Sequence, residues 1–188
     1  MKKLFLLIVW MGVTFVAVAQ ESYKLKSSTL KIEGTSSLHD WSADANKVSG
    51  SVNFGTNDIA TALKNVSVAI EVNAIKSEKG STMDNNIYSA LKAKTHPKIS
   101  FQMTKVNTIK GSNTDFTASV TGNLSIAGTT KLVDLNVTGK KKSNGDLVFN
   151  GSKKIKMTDF NVKPPSFMFG AMKTGDDVTV TFSTTFSK

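Results

Sequence analysis

The sequence predicts an all-β protein, an antiparallel sheet of about eight strands closed into a barrel or folded as a two-sheet sandwich. Three observations predict it. Apolar and polar residues alternate along most of the chain, the period of strands with one buried face. Turn residues interrupt the alternation at short intervals, so neighbours in sequence become neighbours in the sheet. One segment, Met83–Phe101, breaks the period and carries helical spacing instead.

The alternation begins with Tyr23, Leu25 and Ser27 against Lys24, Lys26 and Ser28. Val48, Gly50, Val52 and Phe54 give a second strand. Val66, Val68, Ile70, Val72 and Ala74 give a third. Met83, Ile87 and Leu91 then recur every four residues, one face of a short helix over 84–92, with Asp84, Asn85 and Asn86 offering cap side chains. Pro97 cannot continue a helix and biases His96 toward extended backbone. Ile99, Phe101 and Met103 resume period two. Phe116 to Ile126 is the longest run, and Val133, Leu135 and Val137 follow the turn Gly128-Thr129-Thr130. Asn144-Gly145 marks a hairpin before Leu147 and Phe149. Ile155 and Met157 give a short strand, and Val178 to Phe186 closes the chain. Pro164-Pro165 breaks any strand, leaving Phe167, Met168 and Phe169 consecutive in a loop. Three large apolar residues in a row plug a barrel end or line an apolar mouth.

The first nineteen residues read as a secretory signal. Lys2 and Lys3 form a basic start, Leu4–Val18 an apolar core, and Ala17-Val18-Ala19 a cleavage site before Gln20. An uncleaved anchor is the alternative, but the apolar run is shorter than the ~20 residues a spanning helix needs. Residues 20–188 show no composition shift or repeat and read as one domain, periplasmic or secreted. The absence of cysteine excludes disulfides, thiolate metal sites and lipid attachment through cysteine.

The chain carries a net +10, and without Lys2 and Lys3 there are 22 lysines against 14 acidic residues. Every basic residue is lysine. Arginine, the bidentate reader of phosphate and guanine, is missing, which argues against nucleic acid as a partner. The lysine excess leaves room for weak contact with an anionic membrane surface, and nothing forbids a homodimer. Catalytic signatures are missing. The two histidines have no paired metal-ligand spacing, and there is no nucleophile elbow or glycine-rich phosphate loop. Adjacent His39 and Asp40 point to opposite faces if extended, so each histidine reads first as a local hydrogen-bonding residue.

Three segments resemble the YceI-like family of exported bacterial proteins: GTSSLHDWSADANKVSGSVNF, MDNNIYSALKAKTHPKISF and VTGNLSIAGTTKLVDLNVTG. The tail KMTDFNVKPPSFMFGAMKTGDDVTVTF is similar to a subgroup with a Pro-Pro loop. The sequence departs from many members at Lys156–Phe160, and at Ala90 and Leu91, where they carry two aromatics. The resemblance implies a lipocalin-like extended antiparallel β-barrel with an apolar tunnel. It implies an isoprenoid or quinone-like lipid, or another long apolar chain, as ligand and no separate cofactor.

Pattern and resemblance together nominate the ligand contacts. The expected wall is Trp41, Val52, Phe54, Val68, Ile70 and Phe101, continued by Met103, Val120, Leu124, Phe149 and Phe182. The expected mouth is Phe160, Phe167, Met168 and Phe169, with Ile87 and Leu91 from the helix. The leading reading is an exported, non-enzymatic lipid-binding barrel. A barrel with a filled core, acting as an interaction or stress protein, is the alternative. A lipid-modifying enzyme using His39 with Asp40, or His96, is a third.

Overall fold

The alternating runs form strands, and the last of them pairs with the first. The computed structural model describes residues 21–55, 63–167 and 172–188. Among these the strands are β1 (Glu21–Ser36), β2 (Trp41–Ala45), β3 (Val48–Phe54), β4 (Leu63–Glu71) and β5 (Ile75–Ser77). The helix α1 (Ser81–Ala90) follows, then β6 (Lys98–Gly111), β7 (Asp115–Ile126), β8 (Thr129–Lys141), β9 (Leu147–Lys156), β10 (Ser166–Phe167) and β11 (Met172–Ser187). Hydrogen bonding runs β11-β9-β8-β7-β6-β4-β3-β1 and returns from β1 to β11. The closing ladder extends from Lys24↔Ser187 to Ser36↔Thr174. The eight strands therefore form a closed antiparallel barrel, and the sandwich alternative is excluded. Closure gives each of these strands a hydrogen-bonded neighbour on both sides over at least part of its length.

β2 and β5 lie outside the ring. β2 pairs with the far half of β1 through Lys31↔Asp44 to Gly34↔Trp41, while β3 pairs with the near half through Glu21↔Phe54 to Lys24↔Ser51. β5 extends β2 and leads into α1.

The helix starts earlier than its sequence suggests, at Ser81 rather than 84. Gly80 precedes it at φ 81°, a conformation glycine adopts without Cβ strain. Asp84 is then too far inside to cap, and does something else. Its Oδ1 accepts from the Ser77 N–H at 2.7 Å, and its Oδ2 from the Lys76 ammonium at 3.0 Å. The Tyr88 hydroxyl reaches the carbonyls of Asn73 and Ile75, both at 2.9 Å. The helix is thus tied to the strand before it by two side chains on one face.

The Ser77 N–H, then Lys76, hold the Asp84 carboxyl below its ordinary value of 3.8. A carboxylate lowered by folding contributes stability that is complete above its unfolded value and lost as pH falls through the folded one. Asp84→Asn is expected to lower the melting temperature at neutral pH by about 3–8 °C. It should also flatten the fall in melting temperature between about pH 5 and pH 1. An unchanged thermal profile across that range would show that Asp84 does not anchor the helix.

The turn joining β7 and β8 is tighter than expected: two residues, Ala127 at φ 49° and Gly128 at φ 86°. Two positive φ values match the right-handed twist of the flanking strands. Thr129 and Thr130 already belong to β8. Residues 155 and 156 are not a separate strand but the end of β9, and Met157 begins a 3₁₀ turn over Thr158–Phe160.

Among the described residues three apolar clusters fill different levels. Tyr23, Phe54, Phe116, Leu147, Phe149 and Phe186 plug the end where β7 begins. Their rings meet edge to face, with centroids 5.8 Å apart for Tyr23–Phe54, Phe116–Phe149 and Phe149–Phe186. At the other end, Leu30, Ala43, Ala45 and Ile75 pack beneath α1. Ile126, Phe160 and Val162 pack beside them, under the 3₁₀ turn.

Candidate functional site

Between the aromatic plug and the helix end lies an apolar cavity of about 290 Å³. It exists because inward positions alternate along every ring strand, and because several of them carry no side chain. Phe182 stands opposite Gly151, Phe116 opposite Gly139, and Trp41 opposite Gly34. The Phe101 ring lies across Gly122. A Cβ built on Gly151 would come within 2.6 Å of the Phe182 ring. Each ring therefore packs over its glycine, in the space that a side chain there would take.

Most of the expected wall lines this cavity. Trp41 contributes from β2, Val52 from β3, and Val68 and Ile70 from β4. Phe101 contributes from β6, Val120 and Leu124 from β7, Phe149 from β9 and Phe182 from β11. Ile87 and Leu91 reach it from the helix end, and Phe160 from the 3₁₀ turn. Two expected wall residues do not line it. Phe54 is 2% exposed and sits in the plug against Tyr23. Met103 is buried opposite Gly122, and β6 shifts register immediately after it, between Met103 and Lys105. A bulge of this kind re-aims the strand. The expected mouth residues Met168 and Phe169, and the Phe167 side chain, lie outside the described residues; the Phe167 backbone pairs with Met172.

Other lining residues were missed. Val133, Leu135 and Val137 from β8, and Val178 and Val180 from β11, occupy the same parity as the runs that predicted those strands. Alternation alone would have placed them. Leu30 and Ile32 lie in the half of β1 beyond the expected strand. Lys153 also lines the cavity, on the inward parity of Phe149 and Ile155; its charge argued against looking there.

Among the described residues the lining is apolar except for Asn86, Lys153, Thr174 and Thr184. The Thr184 hydroxyl donates to the Phe149 carbonyl at 3.3 Å. Neither histidine lines the cavity. His39 Nδ1 donates to the Asp40 carbonyl at 2.9 Å in an exposed turn. The His96 ring covers Gly128, where an added Cβ would come within 2.6 Å of it. Among the described residues no group of three His, Asp or Glu side chains could hold a metal ion.

Known proteins share this architecture. BcnA of Burkholderia cenocepacia superposes with a TM-score of 0.65 at 23% identity, covering 86% of this chain and 96% of that one. A YceI protein from Campylobacter jejuni gives 0.61 at 24% identity, covering 78% and 84%. A polyisoprenoid-binding domain from Saccharophagus degradans, implicated in plant cell wall breakdown, gives 0.66 at 13% identity, covering 90% and 98%. No protein of curated function matches the sequence. The family profile of the YceI-like domain matches residues 23–186, nearly the whole of the barrel, and the chain belongs to the YceI-like family.

Proposed function

We propose that the protein is an exported binder of a long apolar chain, of the isoprenoid or a similar lipid class, which it sequesters or carries inside the barrel. The observation that carries this reading is the apolar cavity inside the ring of strands. Burial supplies the affinity. Each CH₂ withdrawn from water gains roughly 0.8 kcal/mol, so a chain needs no polar anchor to be held. The cavity favours this reading over a filled-core interaction protein. The Saccharophagus degradans domain, a polyisoprenoid binder of the same fold, supports the ligand class. Export rests on the basic start, the apolar Leu4–Val18 and the Ala17-Val18-Ala19 site.

Native mass spectrometry of the purified protein, with solvent extraction and lipid analysis, tests the reading. The expected result is a copurifying apolar lipid, or stoichiometric uptake of added geranylgeraniol. Protein that emerges empty and takes up no added lipid would overturn it.

A further inference from the structure

We infer that the cavity is built for an amphiphile with one anionic group, carboxylate or phosphate, and that Lys153 is the seat for that group. The inference rests on the reading of the cavity as a lipid-chain site.

Two independent observations lead to it. First, Lys153 is the one charged residue among the described lining side chains. It is partly buried, pairs with Val180 in the ladder to β11, and shares the inward face of β9 with Phe149 and Ile155. Its neighbour Lys154 faces outward and is paired with Asp177 at 2.8 Å. Lys153 has no such partner: among the described residues every ion pair is made by another lysine. A lysine that lines an apolar wall with no counter-charge beside it leaves its ammonium available to an anionic group of a ligand.

Second, the wall is incomplete beside it. β8 and β9 pair from Lys141↔Leu147 to Val137↔Gly151, and no pair joins them beyond that point. Both strands continue, β8 back to Thr129 and β9 on to Lys156. The 3₁₀ turn closes the far end of the gap, where Asn161 Nδ2 donates to Thr129 Oγ1 at 3.1 Å. Lys153 stands two residues past the last pair. Its side chain lines the lumen beside the place where the wall parts. An apolar chain in the lumen can thus leave its anionic end at the parting, in contact with the ammonium and with water. A neutral head would leave the ammonium uncompensated.

Isothermal titration of the full chain with geranylgeranyl phosphate, palmitate, geranylgeraniol and inorganic phosphate tests the assignment. The two anionic chains are expected to bind roughly ten- to a hundredfold tighter than geranylgeraniol. Lys153→Met, close in length and apolar, should erase that preference, bringing both anionic chains to the affinity of geranylgeraniol, without lowering the melting temperature. Lys153→Arg should keep the preference. If only the phosphate or only the carboxylate is preferred, that identifies the source of the anion and supports the seat. Equal affinity for neutral and anionic chains, or a preference that survives Lys153→Met, would overturn it. Inorganic phosphate binding as tightly as geranylgeranyl phosphate would also overturn it, because head and chain would then not share one site. Failure of every chain to bind the wild-type protein would instead remove the lipid-binding reading itself.

Discussion

Phe186→Ala is expected to lower the free energy of unfolding by about 3–5 kcal/mol, read as a fall in the urea midpoint at unchanged slope. Phe186 is 2% exposed. It sits near the end of the ladder that closes the barrel, opposite Leu25 on one side and Leu147 on the other. Its ring meets Phe149 edge to face at 5.8 Å. Truncation removes a whole ring from the plug, where three clustered aromatic contacts leave little room for neighbours to collapse. Leu132→Ser is the control. Leu132 is 68% exposed on the outer face, and its loss should change stability by less than about 0.5 kcal/mol. A Phe186→Ala effect as small as the control's would mean that the plug does not hold the barrel shut.

Leu135→Trp is expected to weaken binding of geranylgeraniol by roughly a hundredfold or more, with the melting temperature unchanged or raised. Leu135 lines the cavity from β8, opposite Val120 in the register. An indole there occupies part of a space of only about 290 Å³. Displacing about four CH₂ groups from the lumen forfeits about 3 kcal/mol of burial. Filling an apolar void costs the fold little, so binding and stability should separate. Titration calorimetry and thermal denaturation of the same preparation measure both. Retained affinity would place the ligand elsewhere on the protein.

The barrel was legible because its ring strands each bury one face. The run from Phe116 to Ile126 needed only its period to be read, and β7 spans Asp115–Ile126. The short elements were not legible. β2, β5 and β10 are five, three and two residues long, too short for a period to register. The helix start was misplaced because Asp84 resembles a cap in sequence, while in space it reaches back to Ser77. In the cavity, parity found most of the wall. It failed where parity is broken, at the β6 register shift beside Met103, and where neighbouring strands decide depth, as for Phe54 in the plug. Lys153 obeyed parity and was passed over for its charge. A polar residue in an apolar register is the kind of local inconsistency that marks function more often than error.

The rings resting on glycine have a consequence for how such a barrel can vary. The bore of a barrel is ordinarily fixed by strand number and tilt, both of which change only in large steps. Here a finer adjustment is available. Phe101, Phe182 and Trp41 each lie against a glycine, at Gly122, Gly151 and Gly34, and all three rings face the cavity. A side chain beneath any one of them would lift that ring inward and narrow the bore at one level, leaving the eight-strand frame alone. Exchanging a few glycines would thus reset the bore level by level, and the frame need not be rebuilt for each change.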